Sequence, residues 1–142
     1  MRLLSREHWT DGPVWEIAYY RTAPGHFDEY LRYLREHLLP QNAEAIEQGL
    51  VLDHKIFVKA PSGPDDWDIA FATLYESFAR FDYNVEDEAK ARAIAQKHYK
   101  TTDRDEQRQQ AAPRLDSRRY LRTELVREVT LKPIPKSERA SG

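Results

Sequence analysis

The sequence predicts an α+β domain, a four-stranded antiparallel sheet in ferredoxin-like βαββαβ order with helices on one face. Three observations predict it. Period-two apolar alternation occurs in four separate stretches, and helical periodicity fills the intervals after the first and the third. That order, strand, helix, strand, strand, helix, strand, is the split βαβ arrangement. Each strand also carries apolar residues in both phases, for example Trp15, Ile17 and Tyr19 against Val14 and Ala18. At 142 residues the chain is the size of one domain with one core.

The elements follow in chain order. After a lead-in over 1–12, closed by Asp11-Gly12-Pro13, the stretch VWEIAYYRT (14–22) is β-branched and aromatic enough for a strand covered on both faces. Thr22 and Pro24-Gly25 then open a helix whose free amides ask for a capping side chain. It runs to about Leu39, is broken or kinked by Pro40, and resumes through Ala43 and Ile46 until Gly49 stops it. In LVLDHKIFVKA, Leu52, His54, Ile56 and Val58 share one face while Asp53 and Lys55 take the other, as in a half-buried strand. PSGPDD is a loop, and DWDIAFATLYES is a third strand joined to the second by a long hairpin tip. A helix follows from Val85 to Tyr99, with Glu86, Asp87 and Glu88 at the end its dipole favours.

The polar stretch TTDRDEQRQQAA predicts a short solvated helix, with Asp103 and Glu106 in capping-box spacing and Pro113 as its end. RRYLRTELVREVTLK is the last strand. Its alternation puts Leu121, Thr123, Leu125 and Arg127 in one phase and Tyr120, Arg122, Glu124 and Val126 in the other. The single domain thus spans 13–132, and residues 133–142 are expected to form a flexible tail.

Composition narrows the function. With 22 basic and 24 acidic residues the net charge is −2, which gives no field to attract nucleic acid or an anionic membrane. The absence of cysteine excludes disulfides, thiolate catalysis and cysteine-based metal sites, and it suits a reducing compartment. No apolar run resembles a signal peptide or membrane span, so a cytoplasmic protein is expected. There is no glycine-rich phosphate loop and no HExxH or His-x-His pattern, so neither a cofactor nor a metal is expected.

The segments VWEIAYYRTAPGHFDEYL, LVLDHKIFV, DWDIAFATLYESFARFD and YLRTELVREV resemble the dimeric α/β-barrel superfamily, in particular its small bacterial members of uncharacterised activity. The resemblance implies a homodimer in which two sheets face each other to form a barrel, with a small-molecule pocket between sheet and helices in each subunit. Relatives include cofactor-independent quinone-forming monooxygenases, polyketide cyclases, lactone isomerases and haem-degrading enzymes. No catalytic motif is carried across.

Among individual residues, His54 stands out, because it occupies the apolar phase of the second strand and titrates near neutrality. A packed histidine bonded to a neighbour is the alternative. Its partners depend on strand register: either Thr73 and Tyr75 or Ala70, Ala72 and Leu74 share its face. Tyr75 is the candidate catalytic partner and Thr73 a substrate contact. Tyr19 and Tyr20 point to opposite faces, and Tyr20 is the one assigned to the pocket. In HFDEYLRYLREH, the stripe His26, Tyr30, Tyr33, His37 lies beside Phe27, Leu31, Leu34 and Leu38, so Tyr30 is a candidate at the flank of the helix, near a pocket mouth. Arg122 could hold an anionic substrate, or belong to a solvated strand face.

The functional expectation is a small organic ligand, aromatic or polyketide-like, processed by His/Tyr acid–base chemistry without a cofactor. The alternatives are a non-catalytic stress-related or ligand-binding protein and a haem-binding or haem-degrading monooxygenase.

Overall fold

A computed structural model describes residues 8–135, the side chain of Leu115 excepted. Four strands, β1 (Trp9–Thr22), β2 (Asp53–Val58), β3 (Ile69–Tyr75) and β4 (Arg118–Leu131), form one antiparallel sheet in the order β2-β3-β1-β4. This is the ferredoxin-like order. The helices are α1 (Phe27–Tyr33), a π-helical turn (Leu34–Leu38), α2 (Leu39–Glu47), α3 (Val85–Tyr99) and α4 (Arg104–Asp116).

Strand β1 begins at Trp9, five residues before the expected start at Val14, because Trp9, Thr10 and Asp11 pair with Leu131, Thr130 and Val129. The expected lead-in is therefore strand from Trp9 onward, while residues 1–7 lie outside the described residues. Gly12 and Pro13 together oppose Glu128 as a β-bulge. Pro13 has no N–H to give the ladder, and a Cβ on Gly12 would sit 2.9 Å from the Glu128 carbonyl oxygen. A second irregularity falls where Tyr19 pairs with Arg122 but Tyr20 with Tyr120, leaving Leu121 as the extra residue. Simple alternation fails there: Tyr120 turns to the same face as Thr123 and Leu125, its hydroxyl 2.7 Å from Thr123 Oγ1 and its ring edge-on to Tyr20.

The first helix starts at Phe27, later than Pro24-Gly25 suggests, and no side chain caps it. Thr22 does not serve there, because its hydroxyl and amide are taken by Asp68. Gly25 has φ 79°, which glycine adopts without strain. Pro40 does not break the helix. The turn before it widens instead, with the Leu39 N–H reaching the Leu34 carbonyl, five residues back. Proline lacks the donor and crowds the carbonyl four residues earlier, and a π turn relieves both.

Helix α3 matches its expected bounds, and Asn84 caps it by accepting from the Glu86 and Asp87 amides. Helix α4 passes through Pro113 to Asp116 rather than ending there. Its last turn is held by Ser117, whose hydroxyl donates to the Pro113 carbonyl at 2.7 Å and whose amide donates to that of Arg114 at 3.2 Å. Asp103 caps the helix through the Asp105 amide, while Glu106 turns to the Thr101 hydroxyl, so the capping box does not close. The helix is not wholly solvated either, since Gln107 is buried.

The core is made by Tyr30, Leu34 and Ile69, with Tyr20, Leu31, Leu38 and Phe71 packed around them. Tyr30 is completely buried, so it sits at the centre of the helix face and not on its flank. Its ring stacks on Phe71, and its hydroxyl accepts from Arg118 at 2.8 Å, which satisfies the polar end inside the protein. On the other face of the sheet Trp15, Ile17 and Tyr19 lie over the small residues Ala70 and Ala72. No helix packs there among the described residues, and Phe57 and Val126 on that face are 48% and 43% exposed.

Candidate functional site

Strand register sets the site. Across three adjacent strands, Glu16 pairs with Thr73 and Thr73 with His54, which places all three side chains in one row on the helix-facing side. The next row toward the helices is Ala18, Phe71 and Ile56, and the one after it Tyr20, Ile69 and Val58. Helix α1 and the π turn close over that last row. At the opposite end Tyr75, paired with Val14, packs on Phe81 at 4.7 Å between ring centres, and Arg127 lies over Phe78 at 4.4 Å. The polar row thus lies between the helical core and the Phe78–Phe81 turn, with Leu125, half exposed, on its β4 side.

The electrostatics of the row are unusual for a strand interior. Glu16 is half-buried, and no hydrogen bond or ion pair to its carboxylate exists among the described residues. Burial raises its pKa above the ordinary carboxyl value. Burial also raises the pKa of Tyr75, and the Glu16 charge adds to the rise. His54 moves the other way: burial lowers its pKa, and the nearby Asp53 charge opposes the shift in part. Its ring packs against Phe71 and makes no hydrogen bond among the described residues.

With strands about 4.8 Å apart, Glu16 and His54 stand about 10 Å from each other, with the Thr73 hydroxyl between them. A single-ring molecule spans that distance. Burial thus shifts both the carboxyl and the imidazole toward their uncharged forms.

Register therefore gives His54 the partners Thr73 and Tyr75, not Ala70, Ala72 and Leu74. Tyr20, Tyr30 and Arg122 are not brought to His54. Arg118 lies over the Tyr20 ring at 4.1 Å and binds the Tyr30 hydroxyl, so both tyrosines belong to the closed core. Arg122 takes the Tyr19 phase on the opposite face, stacked on Tyr19 at 4.4 Å and bonded to Glu124. Reading the sequence for histidine and tyrosine passed over Glu16. Its signal is there, an acid in the helix-facing phase of the apolar strand VWEIAYY.

A second cluster uses His37. It sits in the π turn, its Nδ1 2.9 Å from Nε2 of His98 on α3, and its ring lies stacked with those of Tyr33 and Tyr99. Burial and the neighbouring His37 hold the His98 pKa below its ordinary value. Among the described residues no three His, Cys, Asp or Glu side chains group to hold a metal ion, and no helix is long and apolar enough to cross a membrane.

No family model matches the chain, and no curated protein matches it. Among solved structures it is similar to a dimeric protein of unknown function and ferredoxin-like fold from Bacteroides fragilis NCTC 9343, with 15% identity and a TM-score of 0.40 over 84% of this chain and 97% of that one.

Proposed function

We propose that the chain binds a small organic molecule, aromatic or polyketide-like, over the row of Glu16, Thr73 and His54 and transfers a proton on it without a cofactor. The observation that carries this is the registered row of an unpartnered, half-buried carboxylate, a hydroxyl and a half-buried imidazole, beside a tyrosine that senses the carboxylate. Structural polar groups in a strand interior are ordinarily satisfied by neighbours. Here neither Glu16 nor His54 has such a neighbour among the described residues, so both polar ends are left to solvent or to a bound ligand.

In this reading His54 acts as acid or base, Glu16 takes or returns the proton at the other end of the ligand, and the Tyr75 hydroxyl donates to a carbonyl oxygen as charge develops there. Proton abstraction beside a carbonyl balances with these groups alone: the C–H proton passes to the base, and the enolate oxygen receives a proton or a hydrogen bond.

The same proposal includes a homodimer formed by the opposite face. What supports it is the apolar surface of Trp15, Ile17, Leu74, Phe57 and Val126, which no helix covers among the described residues. Lys55 over Trp15 and Arg122 over Tyr19, with Glu124 and Glu128 alongside, supply both charge signs for a self-complementary contact.

Native mass spectrometry of freshly purified protein tests the function. The expected result is a retained organic ligand that takes up deuterium from D2O. His54→Ala and Glu16→Gln should keep the ligand and lose the exchange. A retained ligand with no exchange in the wild type would assign a binding protein without catalysis, and equal exchange in all three proteins would retire the row as the reacting site.

A further inference from the structure

The crevice between α3 and α4 is lined by arginines where two packed helices ordinarily bury apolar side chains. Arg104, Gln107, Arg108, Ala111 and Arg114 recur at helical spacing on one face of α4 and, with Ala95 and Tyr99 of α3, surround a cavity of about 410 Å³. The charges there are poorly balanced. Arg108 is paired with Asp105, but both are largely exposed at the rim. Arg104 makes no hydrogen bond or ion pair among the described residues. Arg114 Nε is buried without a hydrogen-bond partner among the described residues, and the charge of Arg114 is felt by the Tyr30 hydroxyl, to which Arg118 already donates.

A buried guanidinium nitrogen left without an acceptor is expensive, and a second cation nearby adds to the cost. The carboxylates close by are committed elsewhere: Asp103 caps the helix, and Glu106 bonds Thr101. An oxyanion supplies what the crevice lacks. Guanidinium groups present parallel N–H donors that match the oxygen spacing of phosphate and hold it bidentately.

We infer that this crevice is a binding site for a phosphate group, held by Arg114 from the inner end and by Arg104 and Arg108 from the rim. It is separate from the row of His54, and its occupancy does not depend on any reaction there. The polar 101–117 segment, so poor in apolar residues, thereby acquires a role: it carries the cations of an anion site.

Isothermal titration of the full chain with sodium phosphate, against sodium chloride at equal ionic strength, tests the inference. Saturable one-to-one binding of phosphate but not chloride is expected. Arg114→Gln should weaken it at least tenfold. Arg104→Gln with Arg108→Gln, changed at the exposed rim where folding is insensitive, should weaken it several-fold with an unaltered circular dichroism spectrum. Titration with phenyl phosphate separates the sources, since tighter binding than inorganic phosphate assigns a phosphomonoester and equal binding assigns the free ion. Phosphate indistinguishable from chloride, or equal affinity in wild type and both variants, overturns the site.

Discussion

Replacing Glu16 with glutamine should make the protein more stable at neutral pH while abolishing proton transfer at the row of His54. The sign follows from burial, which raises the folded-state pKa above its value of 4.5 in the unfolded chain. Between those two pKa values the folded state holds more protons, so stability falls as pH rises through the window and the penalty persists above it. Glutamine has nearly the same shape and carries no charge. A fully buried polar group without a partner costs about 1–3 kcal/mol, and a charged one more. Glu16 is only half-buried, so solvent screening reduces the gain to about 1 kcal/mol, or about 3–4 °C in Tm for a domain of this size. Urea denaturation at pH 7.5 and at pH 4 gives the answer. The variant should be the more stable at pH 7.5 and nearly equal to wild type at pH 4, where both states of the wild-type carboxyl are largely protonated. A loss of stability at pH 7.5 would refute the reasoning, because it would mean that the carboxylate has a stabilising partner.

Tyr30→Phe keeps the buried ring and removes only the acceptor for Arg118. It should cost about 1–2 kcal/mol, read as a lower urea midpoint with an unchanged slope; an unchanged midpoint would mean that the hydroxyl contributes nothing to the core. His54 and His98 both have folded-state pKa values held below 6.5 by burial, so the unfolded chain takes up protons first and stability should fall as pH drops below 6.5. His98→Gln should flatten part of that decline in a pH series of thermal melts, and an identical profile would remove the pair as a source of pH sensitivity. Phe57→Lys puts a charge in the middle of the uncovered face and should weaken self-association at least tenfold in sedimentation equilibrium. A wild-type protein that sediments as a lone subunit at micromolar concentration would end the homodimer proposal.

The elements were legible because their signals are local. Alternation in VWEIAYYRT and LVLDHKIFV, the acidic first turn of α3 and the order of strands and helices depend on neighbours only a few residues away, and the sheet has the predicted order. Where the sequence misled, a distant contact had displaced a local preference. Thr22 reads as a cap but is held by Asp68, 46 residues on; Pro113 reads as a stop but is spanned by a turn that Ser117 holds. The bulge at Leu121 turned Tyr120 over, and periodicity alone carries no trace of it.

The candidate site divides in the same way. Sequence alone determined that His54 sits in the apolar phase of the second strand and that Tyr19 and Tyr20 face apart, since side-chain direction alternates along any strand. Only the tertiary structure decided that Thr73 and Glu16 share the row of His54, that Tyr30 is core and that Arg122 lies on the far side of the sheet. Register between strands is fixed by the sum of many weak contacts across the whole sheet, and a slip of one residue would have turned every one of those side chains over.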